Sequence, residues 1–263
     1  MDADAIEQAA KLLVEARLAA TALVELPAAC APVTLVDAYA IQEAVHDILS
    51  AASWGAITGH KIGCTTTVMQ EYLKIDAPCA GGIFADRVRE GEGHYDRAVL
   101  CRPGVECEIA VRLGADLPGR EGGYDHASIT PAVAAVMASI ELVDDRWHDF
   151  ASQPMTSLLA DEFFGAGCVL GREVTDWQAL DLAATSGRML INGKEVGAGV
   201  GGDILGHPLN ALVWLADLRA ASGKPLKAGE FVTLGSLVQT VWIDTGDEVI
   251  AQIDGLGRAV LTL

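Results

Sequence analysis

Apolar and polar positions alternate most sharply over Gly104-Val-Glu-Cys-Glu-Ile-Ala-Val-Arg-Leu113, and this period of two predicts a strand. Glu106 and Glu108 then project from one face, and Val105, Cys107 and Ile109 from the other. A second apolar run, Met137-Ala-Ser-Ile-Glu-Leu-Val143, also reads as a buried strand, and Glu141 interrupts it. Near the N-terminus the period lengthens. Residues 4–24 place Ile6, Ala9, Ala10, Leu13, Ala16 and Ala20 in one helical stripe, away from Glu7, Lys11, Glu15 and Arg17. A second helix opens at Thr34 as N-cap, with Asp37 in its first turn and Ala38, Ile41, Val45 and Ile48 facing inward.

From Trp54 to Gly63 the pattern changes to strand, and the hydroxyls after it suit the cap of a short helix over 68–73. Residues 77–84 read as a turn leading into a strand, 90–93 as a solvated turn, and 114–126 as a polar, glycine-rich connection. Thr130-Pro131 predicts a helix start, and 154–164 a helix that ends in Phe163 and Phe164. Asn192-Gly193 predicts a hairpin between 188–191 and 194–196, followed by a loop over 197–202. Pro208 opens a helix that stops before Gly223, and 231–237, 248–253 and 259–263 read as strands. After residue 56 strands outnumber helices without regular alternation. That predicts an α+β fold, with a helical appendage over 1–55 and a mixed, curved sheet over 56–263.

The composition narrows the function. With 263 residues, 51% of them hydrophobic, the chain can bury a full core. It carries 36 acids against 18 bases, a formal charge of -18, which argues against a nucleic-acid partner. Cys30, Cys64, Cys79, Cys101, Cys107 and Cys168 are scattered, so neither a disulfide framework nor a zinc knuckle is indicated and a reducing cytoplasm is the expected location. The first residues hold no basic stretch, and no apolar run approaches the roughly 18 residues of a membrane span, so neither a signal peptide nor a membrane partner is expected. Much of the apolar content is Ala and Gly, which bury little area each, so oligomerisation is a plausible supplement.

Two carboxylates on one strand face repel, so Glu106 and Glu108 want either open water or a cation between them. With Glu141 converging, the set would be an oxygen-only site for a hard divalent ion such as Mg2+ or Mn2+. Lys61 lies in a strand among Ile57, Ile62 and glycines. It either snorkels to the surface or supplies positive charge beside the acids. His60, next to it, points to the opposite face and reads as structural. His207 either caps the helix after it or faces the site. The sequence holds no P-loop, no nucleophile elbow and no H-E-x-x-H pair, and Gly197-Ala-Gly-Val-Gly-Gly202 lacks the strand-turn-helix frame of a dinucleotide loop.

Five stretches in this order, Gly59-His-Lys-Ile-Gly63, Val105-Glu-Cys-Glu-Ile109, Ser139-Ile-Glu-Leu-Val-Asp144, Leu205-Gly-His-Pro-Leu-Asn-Ala-Leu-Val-Trp-Leu215 and Ile253-Asp-Gly-Leu-Gly257, resemble one enzyme group. It is the 2-hydroxypenta-2,4-dienoate hydratase and 4-oxalocrotonate decarboxylase group of the fumarylacetoacetase-like superfamily. The resemblance covers nearly the whole chain, including Asp37-Ala-Tyr-Ala-Ile-Gln42. It implies a partly open, mixed β-barrel, Mg2+ or Mn2+ held by Glu106, Glu108 and Glu141, an active-site Lys61, and a homo-oligomer of at least two chains. It implies action on a small unsaturated 2-oxo acid from aromatic breakdown, with Lys61 orienting the substrate carboxylate or assisting proton transfer if its pKa is lowered. Gly235 and Ser236 match a pocket-lining loop whose backbone N-H groups are free to receive a carboxylate.

Two positions depart from the group. Cys79 stands where its hydratases usually have Asp, and a thiol is a poor carboxylate base; Asp76, three residues earlier, is the other acid nearby. Ala160-Asp-Glu-Phe-Phe-Gly165 replaces a more usual Ala-Asp-Asn followed by small residues. Three functions follow as expectations: a hydratase of 2-hydroxy-2,4-dienoates, a decarboxylase or C-C hydrolase on the same scaffold, and a catalytically silent metal-binding partner subunit.

Overall fold

The computed structural model describes residues 1–66, 70, 75 and 77–263; the helix expected over 68–73 and Asp76 lie outside the described residues. Helix α1, Ala3–Leu18, starts where the Asp2 side chain accepts from the Ala5 N-H at 2.8 Å. It ends six residues before the expected boundary. The chain turns at Ala20 (φ 49°), after which the Leu23 N-H donates to the Arg146 carbonyl at 2.8 Å. Helix α2, Leu35–Leu49, carries the full Thr34/Asp37 capping box. Its buried face is Ala38, Ile41, Val45 and Leu49 rather than Ile48. Gln42 sits on that face and donates to the carbonyls of Ala80 (3.0 Å) and Leu159 (2.9 Å), so a buried amide ties α2 to two later segments.

The first half of the strand set comprises β1 (Ile57–Gly63), β2 (Cys79–Phe84), β3 (Val88–Glu90), β4 (Glu92–His94), β5 (Pro103–Leu113), β6 (Val133–Asp144) and β7 (Gly165–Leu170). It continues with β8 (Ser186–Ile191), β9 (Lys194–Val200), β10 (Phe231–Ser236), β11 (Val241–Trp242), β12 (Glu248–Ile253) and β13 (Gly257–Thr262). The larger sheet runs β2-β1-β10-β5-β6-β7-β3, with β11 paired to β5; the smaller runs β4-β13-β12-β8-β9. Both sheets are mixed, because β1 and β10, β3 and β7, and β4 and β13 pair in parallel. Among the described residues neither closes into a barrel. Val105, Cys107 and Ile109 of β5, with Ala138, Ile140 and Leu142 of β6, share one apolar core with Met189, Val249, Ala251 and Leu261 of the smaller sheet. The alternation therefore leaves Glu106, Glu108 and Glu141 on the opposite face, inside the curl of the larger sheet.

Several expected boundaries move for local reasons. Ser50–Trp54 is a wide helical turn with Ser53 at φ 87°, so β1 begins at Ile57 and not at Trp54. Residues 90–93 bridge two short strands around Gly91 instead of forming only a turn. Thr130-Pro131 does not open a helix: Asp125 caps a turn over His126–Ile129, and Thr130–Ala132 leads directly into β6. Residues 197–200 continue β9, because the hairpin pairs as far as Val200 opposite Ser186. The helix of 154–164 breaks after Ala160, and Glu162, Phe163 and Phe164 all take positive φ (61°, 44° and 68°). The helix Pro208–Ala221 and the Asn192-Gly193 hairpin stand as expected.

The N-terminal helices join the sheet through a buried ion network. Asp161, 1% exposed, accepts from Arg146 Nε at 2.9 Å and from Arg17 Nη2 at 3.0 Å, while its carbonyl accepts from Arg146 Nη2. Asp161→Ala leaves two buried guanidinium groups without their shared anion and should cost about 3–5 kcal/mol. Chemical denaturation measures this, and a loss below about 1 kcal/mol, the scale of an exposed pair, would show that the network does not bind α1 to the sheet.

Candidate metal centre

The β5–β6 ladder sets Glu106 directly opposite Glu141, with Glu108 opposite Ser139. Their side chains share a face, and ligand oxygens of Glu106, Glu108 and Glu141 all lie within 4.8 Å of one another. Glu108 is 0% and Glu141 1% exposed; Glu106 is half-buried. Burial, then Glu141 and Glu106, pushes the Glu108 carboxyl well above the usual carboxylate range. Burial likewise lifts Glu141 to about 7, against the pull of Lys61.

Neighbouring groups fix these acids without satisfying them. The Gly235 N-H donates to Glu108 Oε2 at 2.9 Å, and the Thr240 hydroxyl donates to Glu106 Oε1. Glu108 Oε1 and Glu141 Oε2 are buried and accept no hydrogen bond among the described residues. Three carboxylates facing a single lysine carry an excess of negative charge in a dry place. Such a set of hard oxygen donors with unused lone pairs fits a divalent ion of the Mg2+ class.

Lys61 reaches the acids because the larger sheet is strongly curved: β6 is the third strand along from β1, yet Lys61 Nζ is ion-paired with Glu141. Nζ also donates to the Phe163 carbonyl at 2.9 Å. The side chain is buried and does not snorkel. Its environment does not supply the lowered pKa on which proton transfer by Lys61 is conditional. Burial pulls the pKa down, but Glu141 and Glu106 outweigh it, and the ammonium form is favoured.

The remaining candidates separate clearly. His60 turns to the other face of β1, 3.6 Å from Glu230, and burial lowers its pKa. Cys79 is buried with its Sγ 3.7 Å from that of Cys64. The neighbouring Cys64 and burial push its thiol far up, which removes it as a base. The Gly235 amide is not free, since it holds Glu108, and Ser236 Oγ donates to the Val238 carbonyl at 2.6 Å. Gly235 is required there: at φ 120° a Cβ would stand 2.1 Å from Thr65 Oγ1. His207 caps its helix, its Nδ1 accepting from the Leu209 N-H at 3.1 Å.

Three residues around the acids escaped sequence reasoning. Thr240 bonds Glu106, Glu162 is buried across Gly81 from the Lys61 stem, and His46 on α2 is ion-paired with Glu162. Glu162 stands in the segment that departs from the group, and that departure was the one available signal. His46 carried none, since it sits among helical positions with no motif around it.

The model for the C-terminal domain of fumarylacetoacetate hydrolase matches residues 90–263. The 2-keto-4-pentenoate hydratase of Paraburkholderia phymatum is 34% identical over 256 residues, covering 97% of this chain and 96% of that one. The 2-hydroxyhexa-2,4-dienoate hydratase of Comamonas testosteroni is 34% identical over 260 residues, with 97% and 96% covered. Among solved structures, the 4-oxalocrotonate decarboxylase from Pseudomonas putida, complexed with magnesium and adipate, matches with a TM-score of 0.92 at 25% identity, covering 100% of this chain and 98% of that one. Sequence, fold and matched length agree: the chain belongs to the fumarylacetoacetate hydrolase family.

Proposed function

We propose that the protein is a divalent-metal-dependent hydro-lyase that adds water to a 2-hydroxy-2,4-dienoate and yields a 4-hydroxy-2-oxo acid in the breakdown of aromatic compounds. The observation that carries this reading is the convergence of Glu106, Glu108 and Glu141 beside Lys61. It is supported by relatives named as hydratases at 34% identity over almost the whole chain.

Glu106, Glu108 and Glu141 would hold Mg2+ or Mn2+, with Gly235 and Thr240 fixing the orientation of two of the three carboxylates. When bound, the ion would supply positive charge that favours the enolate form of a 2-oxo acid. Hydration then needs two proton movements. The substrate loses its 2-hydroxyl proton and gains one at C5, which gives a 2-oxo-3-enoate; water then bonds through oxygen to C4 while C3 takes up a proton. Lys61, held as a cation by Glu141 and the Phe163 carbonyl, orients the substrate's anionic end and lies within reach of its proton traffic. Cys79 contributes space and not a base. In this reading residues 1–55 form a brace, 56–263 form the catalytic part, and the enzyme works in the cytoplasm as at least a dimer.

Loss of the dienoate's ultraviolet absorbance without release of CO2 supports hydration. CO2 release would assign decarboxylation instead, and metal binding with no turnover of any 2-oxo acid would assign the silent subunit.

Removing groups that merely orient metal ligands costs about 10–100-fold, so Glu106→Ala and Glu108→Ala, which remove ligands, should lose at least about 100-fold in both divalent-ion affinity and turnover. Calorimetric titration with Mn2+ beside the absorbance assay checks this; wild-type affinity in either variant would overturn the ligand assignment.

Lys61→Met keeps the length of the stem and removes the charge. It should lower kcat by about 100-fold or more while ion affinity persists. An unchanged kcat would remove Lys61 from the reaction.

A further inference from the structure

Glu162 carries a buried carboxylate and, among the described residues, is bonded to none of Glu106, Glu108 and Glu141. It lies 0% exposed in a turn where three consecutive non-glycine residues hold positive φ. A bare turn would not keep that conformation, because each such residue costs about 1–3 kcal/mol and persists only when its surroundings dictate it. The surroundings here are specific. Glu162 Oε2 accepts from the Gly82 N-H of β2 at 2.7 Å, and Oε1 is ion-paired with His46 Nε2 on α2. His46 also lies 3.6 Å from Glu43, and its ring meets Phe84 edge-on with centroids 5.6 Å apart. Burial opposes charge on His46, but Glu162 and Glu43 outweigh it and raise its pKa to about 9, so the imidazolium form is favoured at neutral pH.

The next residue presents the carbonyl that receives Lys61 Nζ at 2.9 Å. Space around it is tight. A Cβ added at Gly81 would stand 2.7 Å from Glu162 Oε2 and 3.1 Å from Lys61 Cγ, so the carboxylate and the lysine stem are separated by little more than that glycine. Glu162 and Phe163 are neighbours in the chain, so the conformation that seats the Glu162 carboxylate also sets where the Phe163 carbonyl points.

We infer that Glu162 and His46 are a positioning pair that locks the strained 162–164 turn against β2 and thereby aims Lys61 at the metal centre. Neither residue touches substrate; both act through the Phe163 carbonyl. The inference rests on Lys61 serving the reaction proposed above, and one arm of its test does not depend on that reaction.

In Glu162→Gln the amide oxygen can still accept from Gly82 while the charge facing His46 is lost; in His46→Leu the partner is replaced by an apolar side chain in an apolar cluster. Loss of supporting groups of this kind typically costs about 10–100-fold, so each variant should lower kcat by that range with KM and Mn2+ affinity close to wild type. The two losses should not multiply in the double variant, because both break one unit. Independently of turnover, Lys61 in the folded protein should react with acetic anhydride several-fold faster in either variant, as read by peptide mass spectrometry against the other lysines. Unchanged Lys61 labelling with wild-type kcat would overturn the proposal, and so would a kcat loss that tracks a fall in Tm and in Mn2+ affinity together. If the wild type turned over no dienoate, the hydratase reading would fail and the labelling result alone would decide the positioning role.

Discussion

The structure is arranged around an electrostatic problem: three carboxylates held within one another's reach on the inner face of a curved sheet, two of them buried. In water such a cluster would spread apart, and in a protein interior it raises the proton affinity of its members. What prevents spreading is the ladder. Glu106 and Glu141 are cross-strand partners, so their separation is fixed by backbone hydrogen bonds and not by rotamer choice. A slip of one residue between β5 and β6 would bury these acids against the smaller sheet and expose Cys107 and Ile140 in their place. The apolar core on the far face forbids that slip, so the hydrophobic pattern of β5 and β6 places the acids as firmly as any polar contact does.

The second requirement is a counter-charge, and it comes from curvature. Lys61 belongs to a strand that a flat sheet would keep some 14 Å from β6 at about 4.8 Å per strand. Only because the sheet curls can its ammonium meet Glu141. The curl brings the β2 side and the start of β7 together around the lysine stem, and the segment that spans them is the 161–165 turn. Asp161 fastens that turn to Arg17 and Arg146, Glu162 fastens it to β2 and α2, and Phe163 offers its carbonyl to Lys61. The N-terminal helices thus act on the site through two adjacent acids with different partners: one binds the turn to the fold and the other adjusts what the turn presents.

Much of this was legible in the chain. The alternation around Glu106 and Glu108 fixed their common face, and Glu141 inside an apolar run marked it as a buried acid needing a partner. Register was not legible, because pairing Glu106 with Glu141 depends on which strands become neighbours, and that is set by the core and not by either segment. Nor was the choice between a snorkelling and a buried Lys61, because only the fold brings Glu141 and Glu106 to its ammonium. The helix boundaries at 130 and 160 failed for a related reason. Thr130-Pro131 has the residues of an N-cap, but Asp125 had already started the turn; at 160 a tertiary hydrogen bond and an ion pair outweigh helix propensity.

The substitution at Cys79 constrains the chemistry further. A carboxylate at that position would stand beside Lys61 and compete with Glu141 for it; the thiol, kept neutral by Cys64 and by burial, does not. The ammonium is therefore committed to Glu141 and to the Phe163 carbonyl, which gives it a fixed direction. A further acid, Glu162, lies near the lysine stem and is ion-paired with His46. With Glu162 engaged by His46 and the Gly82 N-H, the acids left facing the Lys61 ammonium are Glu141 and Glu106, so the β5–β6 pair decides where the lysine points.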